Sequence, residues 1–350
     1  MSSIDDGATA VTIEPARLRT TAPLVSVIIP AYNAEAFIRT ALASALHQSY
    51  EPIEIIVIDD GSVDRTVEIV REFMARDPRV RLVQQANAGV AAARNHGIRT
   101  AQGSLIAPLD ADDLWRPMKI ERQVARFVAA DERLGLVYTW SHIIDEDGRI
   151  LARRRRSLPQ DEGSVFQQLI ESNFIGNGSS PLMRKDYVLE AGGYDPELRA
   201  RNAEGCEDWK LYLALAERYE FAVVRESLVG YRQTSGMMSR NLWAMKRSCE
   251  LLLDDVRSRN PELSEDVLRR NSTFFAIWLA TQDVSALKFA LAACWKDPLG
   301  VVRPAVRRQL MWLPLRYLYR SIRAVSPELG RRLENLRRIG REPFLDDIAP

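Results

Sequence analysis

Val25-Ser26-Val27-Ile28-Ile29-Pro30-Ala31-Tyr32-Asn33 and then Ile53-Glu54-Ile55-Ile56-Val57-Ile58-Asp59-Asp60-Gly61-Ser62 decide the fold. Each is a short β-branched run that stops at polar residues, the signature of a buried strand. Between them, residues 34–48 place Phe37, Ala41, Leu42, Ala45 and Leu46 on one helical stripe, with Asn33 positioned to cap it. The alternation continues with a helix predicted over 64–76, a strand over 80–85, a helix over 90–100 and a strand over 104–109. The order β-α-β-α-β-α-β predicts an α/β fold built on a doubly wound, mostly parallel sheet.

In such sheets ligands bind outside the carboxyl ends of the strands, where loops converge and helix N-termini present unpaired N–H groups. Tyr32-Asn33, Asp59-Asp60 and Asp110-Asp112-Asp113 each follow a strand directly, so three segments bring polar groups to one edge. The first loop reads Pro30-Ala31-Tyr32-Asn33-Ala34-Glu35 rather than GxGxxG, which argues against hydride-transfer cofactors. Asp110-Ala111-Asp112-Asp113 crowds carboxylates after an apolar strand, and like charges there need a compensating cation; hard oxygen ligands suit Mg²⁺ or Mn²⁺. A solvated acidic turn before the helix near Trp115-Arg116-Pro117 reads the same way.

Gly61 permits a tight turn after Asp59-Asp60 and leaves Asp60 to accept from an imide or amide N–H, while a plain turn capped by Ser62 or Asp64 is the alternative. Asn87-Ala88-Gly89 leading to Ala93-Arg94-Asn95 sets small residues at a loop-to-helix junction. Arg94 is there to contact phosphate or to pair with the acidic cluster. Glu207-Asp208-Trp209 opens a helix predicted over 207–218; a carboxylate at that end suits the helix dipole and equally suits a general base.

Further on, the pattern predicts a helix from Pro117 to about residue 129, a strand over 136–141, a hairpin turn at Asp145-Glu146-Asp147-Gly148, a strand over 179–184 and a short helix over 186–191. The chain of 350 residues, 46% hydrophobic and 27% charged, has ordinary globular composition, and its formal net charge of +1 gives no general attraction to nucleic acid. Cys206, Cys249 and Cys294 form no CxxC pair or disulfide ladder, as expected of a reducing cytosolic compartment. Residues 1–22 carry Asp5, Asp6 and Glu14 without an apolar run and read as a disordered leader rather than a signal peptide.

Taken together, Val27 to Asn33, Ile58 to Ser62 with Asp64-Arg65-Thr66, Asn87-Ala88-Gly89 with Ala93-Arg94-Asn95, Asp110 to Asp113 and Glu207-Asp208-Trp209 resemble the family 2 glycosyltransferases in order and spacing. The resemblance spans about residues 24–239. It implies the GT-A fold, a Rossmann-like and mostly parallel sheet flanked by helices, over residues 23–240. It also implies a nucleotide-diphosphate-sugar donor, a UDP-sugar by the family's habit, and inversion at the anomeric carbon. The acceptor would be a hydroxyl of a glycan or lipid-linked molecule, in surface polysaccharide or glycoconjugate synthesis in the cytosol.

Carried onto this sequence, the resemblance has Pro30, Tyr32, Asn33, Asp59 and Asn87 lining the nucleotide-sugar pocket and Asp60 bonding the base. Arg94 lies near the nucleotide, Asp110 near the ribose with Asp113 in support, and Asp112 on an Mn²⁺ or Mg²⁺ ion bridging the diphosphate. Asp208 is the catalytic base, with Glu207, Trp209 and Gly193 of Gly192-Gly193-Tyr194-Asp195 on the acceptor side. Tyr231-Arg232 and Met238-Ser239 match a later family segment, but Thr234 stands where many relatives have histidine, leaving that role vacant or passing it to Arg232 or Ser235. Two other classes remain in view: a nucleotidyltransferase, which would need a Gly-rich, basic first loop, and a non-catalytic sugar-nucleotide binding module, which would not need Asp208.

Residues 241–350 read as helical. Arg303, Arg307, Arg308, Arg316, Arg320, Arg323, Arg331, Arg332, Arg337, Arg338 and Arg341 are interleaved with Trp312, Leu313, Leu315, Tyr317, Leu318 and Tyr319. Such a segment suits peripheral contact with an anionic membrane, or a helix packed on the catalytic domain with its arginines in water.

Overall fold

The strands predicted over 25–29, 53–58 and 104–109 lie inside the sheet because their side chains find apolar partners on both faces, while the one over 80–85 forms its edge. In the computed structural model, which describes residues 22–154, 161–234, 238, 241–298, 300, scattered positions between 303 and 317, and 343–345, the chain begins with Val25–Ala31 (β1), Ile38–Leu46 (α1), Ile53–Asp59 (β2), Thr66–Met74 (α2), Val80–Gln84 (β3), Val90–Thr100 (α3) and Leu105–Pro108 (β4). The four strands are parallel in the order β3-β2-β1-β4. Alternate residues serve opposite layers: Ile28, Ile56, Ile58 and Ile106 pack with Ala91, Ala93 and Ile98 of α3, while Val27, Ile29, Ile55 and Val57 pack with Ala41, Leu42 and Val70 of α1 and α2.

Leu114–Trp115 (β5), Lys119–Ala129 (α4), Leu134–Ile144 (β6), Ile150–Arg154 (β7), Phe166–Glu171 (α5), Leu182–Arg184 (β8), Lys185–Glu190 (α6), Glu197–Ala200 (α7), Glu207–Ala216 (α8) and Glu220–Arg232 (β9) follow. They extend the sheet beyond β4 in the order β8-β6-β9-β5, with β7 on β6. β8 runs antiparallel to β4 and β6, β9 runs parallel to β6, and β5 returns antiparallel to β9.

The elements β5, α5, α7 and β9 escape the sequence pattern. β5 is too short to show a period, α5 is a helix of under two turns, and the apolar run of β9 is interrupted by Arg225-Glu226 where its pairing with β6 is irregular. Asn33 does not cap the first helix. It sits at φ 48° with its side-chain oxygen accepting from the Val63 amide at 2.9 Å, and α1 starts only after Phe37.

The helices Leu242–Arg259 (α9), Glu265–Gln282 (α10) and Leu287–Lys296 (α11) confirm the helical character expected after residue 240. No helix among the described residues is long and apolar enough to cross a membrane. Residue 240 is not a break in packing. Met245, Cys249, Leu252, Phe275 and Leu279 belong to the same apolar cluster as Trp209, Leu211 and Leu215 of α8. The Ser248 hydroxyl accepts from the Cys206 amide at 3.1 Å, and the Asn271 amide donates to the Ile170 carbonyl at 2.5 Å. Gly205 lies so close to Met245 that a Cβ there would fall 2.0 Å from its sulfur. The leader expected over 1–22 lies, apart from Ala22, outside the described residues, as does most of the basic segment after Val301.

Because α8 rests on α10 through Trp209 and Phe275, whose ring centroids are 6.2 Å apart, Phe275→Ala is expected to cost about 3 kcal/mol of unfolding free energy by cavity formation. Urea denaturation followed by tryptophan fluorescence measures it.

Candidate active site

Two loops stitched together form one wall of the sheet edge. The Ser62 hydroxyl accepts from the Asn33 amide at 2.9 Å, Asp64 accepts from the Glu35 amide at 3.0 Å, and the Thr66 hydroxyl accepts from the Ala34 amide at 2.8 Å. Tyr32 projects from this wall, 54% exposed, whereas Pro30 is buried within β1. Asp59 is buried behind the wall, accepting from the Ser62 amide and from Gln84 Nε2, each at 3.2 Å.

Asp60 does something the resemblance does not imply. Its oxygens accept from Gln85 Nε2 and the Ala88 and Gly89 amides, all at 2.8 Å, so this buried carboxylate holds the turn that starts α3. Gly89 occupies φ 91°, a left-handed position that costs glycine little. Asn87, at the same turn, accepts from Arg199 Nη2 at 2.5 Å.

α3 presents Arg94 to the acidic cluster. Its guanidinium is buried, forms an ion pair with Asp110 and lies 5.0 Å from the Tyr194 ring centroid. Burial opposes the charge of Arg94, yet Asp110, Tyr194 and Asp208 together outweigh that and raise its pKa. Gly178 makes the pairing possible, since a Cβ at that position would sit 2.8 Å from Arg94 Nη2 and 3.2 Å from Asp110 Oδ2. Asn95, next along α3, clasps the Gly193-Tyr194 loop, with Nδ2 donating to the Tyr194 carbonyl at 2.7 Å and Oδ1 accepting from the Tyr194 amide at 2.9 Å. Gly193, at φ 71°, is pressed against Asn95, whose Oδ1 a Cβ there would meet at 2.6 Å.

The three aspartates of the cluster have separate tasks. Asp113 is fully buried, accepting from the Ser179 hydroxyl at 2.6 Å and from the Arg232 amide at 2.9 Å. Burial, then Asp112 and Asp110, push its pKa well above the usual carboxylate range. Ser179 also accepts from the Asp110 amide at 3.0 Å, so one hydroxyl bridges both ends of the loop. Arg232, expected as a substitute for the missing histidine, is committed to backbone: Nε donates to the Asp112 carbonyl at 2.6 Å, and Nη1 donates to the Asp145 and Glu146 carbonyls at 2.8 and 2.5 Å.

Asp112 is left with its side chain unbonded among the described residues, its pKa pushed up to about 6 by burial and then by Asp110. No group of three His, Cys, Asp or Glu side chains converges on a metal position among the described residues. The donor set still fits a divalent ion, because Mg²⁺ or Mn²⁺ takes one or two protein carboxylates and completes its shell with phosphate oxygens and water.

Asp208 lies at the first turn of α8 with its carboxylate accepting from the Trp209 amide at 2.6 Å. Burial lifts its pKa to about 7, against the opposing charge of Arg94 and with Glu207 adding to the rise. Glu207 is buried, and its carboxylate accepts from the Gly205 amide at 2.9 Å. Trp209 is a core residue, and its indole donates to the Leu169 carbonyl at 2.8 Å. Gly178 and Ser179 were missed because the segment Glu171 to Ser180 shows only a polar, glycine-containing loop, and nothing local reveals what that loop touches.

Solved structures share this fold. S. aureus TarS residues 1–349 in complex with UDP-GlcNAc matches 93% of this chain and 94% of that one, at TM-score 0.56 and 18% identity. A mannosyltransferase from Pyrobaculum calidifontis in complex with GDP-Man and Mn²⁺ matches 91% of this chain and 88% of that one, at TM-score 0.55 and 20% identity. The fold is that of the GT-A glycosyltransferases. Residues 26–189 match the family described as glycosyl transferase family 2. The putative teichuronic acid biosynthesis glycosyltransferase TuaG of Bacillus subtilis is 30% identical over 224 residues, 63% of this chain and 83% of TuaG. The chondroitin synthase of Escherichia coli is 39% identical over 140 residues, 40% of this chain and only 20% of that much longer protein. The chain belongs to glycosyltransferase family 2, and it is a transferase enzyme.

Gly178→Ala is expected to displace Arg94 from Asp110 and lower turnover about ten-fold or more, since misplacing a reacting group by ~1 Å costs up to ~10²-fold. Steady-state rates with an unchanged far-UV circular dichroism spectrum test this.

Proposed function

We propose that the enzyme moves a sugar from a nucleoside-diphosphate donor, a UDP-sugar, to a hydroxyl of a glycan or lipid-linked acceptor with inversion, in the assembly of a surface polysaccharide or glycoconjugate. The carrying observation is a carboxylate with its pKa near 7, Asp208, held beside Arg94, whose other partner is Asp110 of the acidic loop. A base near neutrality is matched to taking a proton from a hydroxyl at working pH.

In this reading Tyr32 stacks on the donor base with Asn33 beside it, while Pro30, Asp59 and Asp60 form the wall behind. Asp110 and Asp112 hold a divalent ion, which when bound neutralises charge on the departing diphosphate. Arg94 holds Asp110 in place, and Asp113 fixes the loop. The acceptor oxygen attacks the anomeric carbon, its proton passes to Asp208, and the bond to the β-phosphate breaks with the electron pair leaving on the diphosphate. Residues 23–240 supply these groups, and the helices after residue 240 brace α8. Support comes from relatives named for chondroitin and teichuronic acid synthesis, and from fold neighbours that hold UDP-GlcNAc or GDP-Man with Mn²⁺.

A panel of nucleotide-sugars tested by thermal shift is expected to show stabilisation by UDP-sugars only with Mn²⁺ or Mg²⁺, corresponding to about 2.7 kcal/mol at one hundred times Kd. The shift should vanish in Asp112→Ala. Metal-independent stabilisation of equal size would overturn the metal assignment, and no stabilisation by any nucleotide-sugar would overturn the donor.

Asp208→Asn is expected to lower kcat about 10²-fold or more, and the wild-type rate should fall as pH drops below about 7, where Asp208 becomes protonated. The same shift has a sign for stability. A carboxyl whose folded pKa is raised above its unfolded value stabilises the fold while protonated, and that contribution is lost as pH rises through the folded pKa. Asp208→Asn should therefore raise Tm relative to wild type at pH 8 and leave it nearly unchanged at pH 4.

A further inference from the structure

One surface has no part in the chemistry. On α11, Lys288, Leu291, Ala292 and Trp295 follow the i, i+3, i+4, i+7 spacing of a single helix face, and all are exposed, Leu291 at 64% and Trp295 at 89%. Trp243, at the start of α9, adds a third large apolar side chain at 61% exposure. It meets Phe289 edge-on with ring centroids 5.2 Å apart. The Lys288 ammonium lies 5.3 Å from the Trp243 ring and 5.2 Å from the Phe289 ring, and Lys246 lies 5.3 Å from the Phe289 ring. Ammonium groups and indoles are thus presented together on one outward face.

The rest of the chain does not claim that face at the described positions. Ala290 and Cys294, on the opposite side of α11, pack with Ile277, Ala280, Val306, Leu310 and Leu313, and the Tyr317 hydroxyl donates to the Ala280 carbonyl at 2.7 Å. Val306, Leu310 and Leu313, described positions after α11, thus sit on its inner side. Charge argues for the occupant. Residues 284–310 carry Lys288, Lys296, Arg303, Arg307 and Arg308 against the single acid Asp297. Asp297 is buried and faces inward, bonding Thr273 and the Gly300 amide. A two-fold contact with a second copy would bring Lys288 and Lys296 towards their own counterparts, which like-charge repulsion opposes. Aromatic and leucine side chains ringed by lysines instead match the boundary of an anionic lipid bilayer, where indoles enter the headgroup layer and ammonium groups meet phosphates.

We propose that the outer face of α11, with Trp243 beside it, is a docking surface for an anionic membrane. It gives peripheral contact a location on α9 and α11, distinct from the arginine-rich sequence after residue 301, and it stands independently of the donor and acceptor assignments. The test is flotation of the full-length protein with vesicles of phosphatidylcholine containing about 30% phosphatidylglycerol, against pure phosphatidylcholine, without donor or acceptor. Wild type should bind the anionic vesicles and be released by high salt. Leu291→Glu with Trp295→Glu should weaken binding roughly ten-fold or more, and so should Lys288→Glu with Lys296→Glu, with Tm and turnover on a water-soluble acceptor unchanged. Wild-type partitioning by the Leu291→Glu/Trp295→Glu variant would overturn the proposal, as would equal binding to both vesicle types. A concentration-dependent oligomer in sedimentation, abolished by that variant while vesicle binding is absent, would assign the face to a second copy.

Discussion

The ion pair between Arg94 and Asp110 is the constraint around which the sheet edge is organised. Asp110, Asp112, Asp113 and Asp208 are brought into one electrostatic neighbourhood, and removing the Arg94 guanidinium from it would leave a burial cost of about 3–5 kcal/mol uncompensated. Each remaining carboxylate is then handled differently. Asp113 has both oxygens satisfied by the Ser179 hydroxyl and the Arg232 amide, and it becomes a fastener between β9 and the acidic loop. Asp112 alone has no protein partner at its side chain among the described residues. That open carboxylate is the one to which the proposed divalent ion is assigned.

The same pair explains why distant segments must be glycine or small. Arg94 reaches Asp110 only because Gly178 offers no Cβ, and the Tyr194 ring beside Arg94 is held by Asn95, against which Gly193 is pressed. These contacts link α3, the loop before β8 and the loop before α7, three segments far apart in sequence. Catalytic geometry here is a property of tertiary packing. It does not reside in any one motif.

That is also why the first half of the chain was legible and much of the site was not. Strands β1, β2 and β4 are buried on both faces, β3 forms the edge, and helices with clear stripes separate them, so periodicity reveals them. α3 was placed to the residue. β9 pairs with β6 through irregular register around Ser227, and a broken strand leaves no clean alternation to read. Motif residues were found by their chemistry, but chemistry alone did not distinguish a ligand contact from a fastener. Asp60 and Trp209 both have polar atoms that read as ligands in sequence, and both spend them on backbone groups of their own fold. Arg232 does the same with three carbonyls.

The helices after residue 240 belong to this logic. A carboxylate at a helix N-terminus in water would keep an ordinary pKa, because the helix dipole favours its charge. Asp208 departs from that expectation through desolvation, and desolvation requires that α8 be covered. Trp209, the next residue, faces Phe275 of α10, and Gly205 just before α8 is in contact with Met245 of α9. The helices that close over α8 therefore help set the proton affinity of the group at its tip, although none of them supplies an atom to the chemistry. Their inner side is spent on that task. What they have left to offer is the outer face of α11, where exposed tryptophan and leucine would be a liability in water and are useful only against a surface that accepts them.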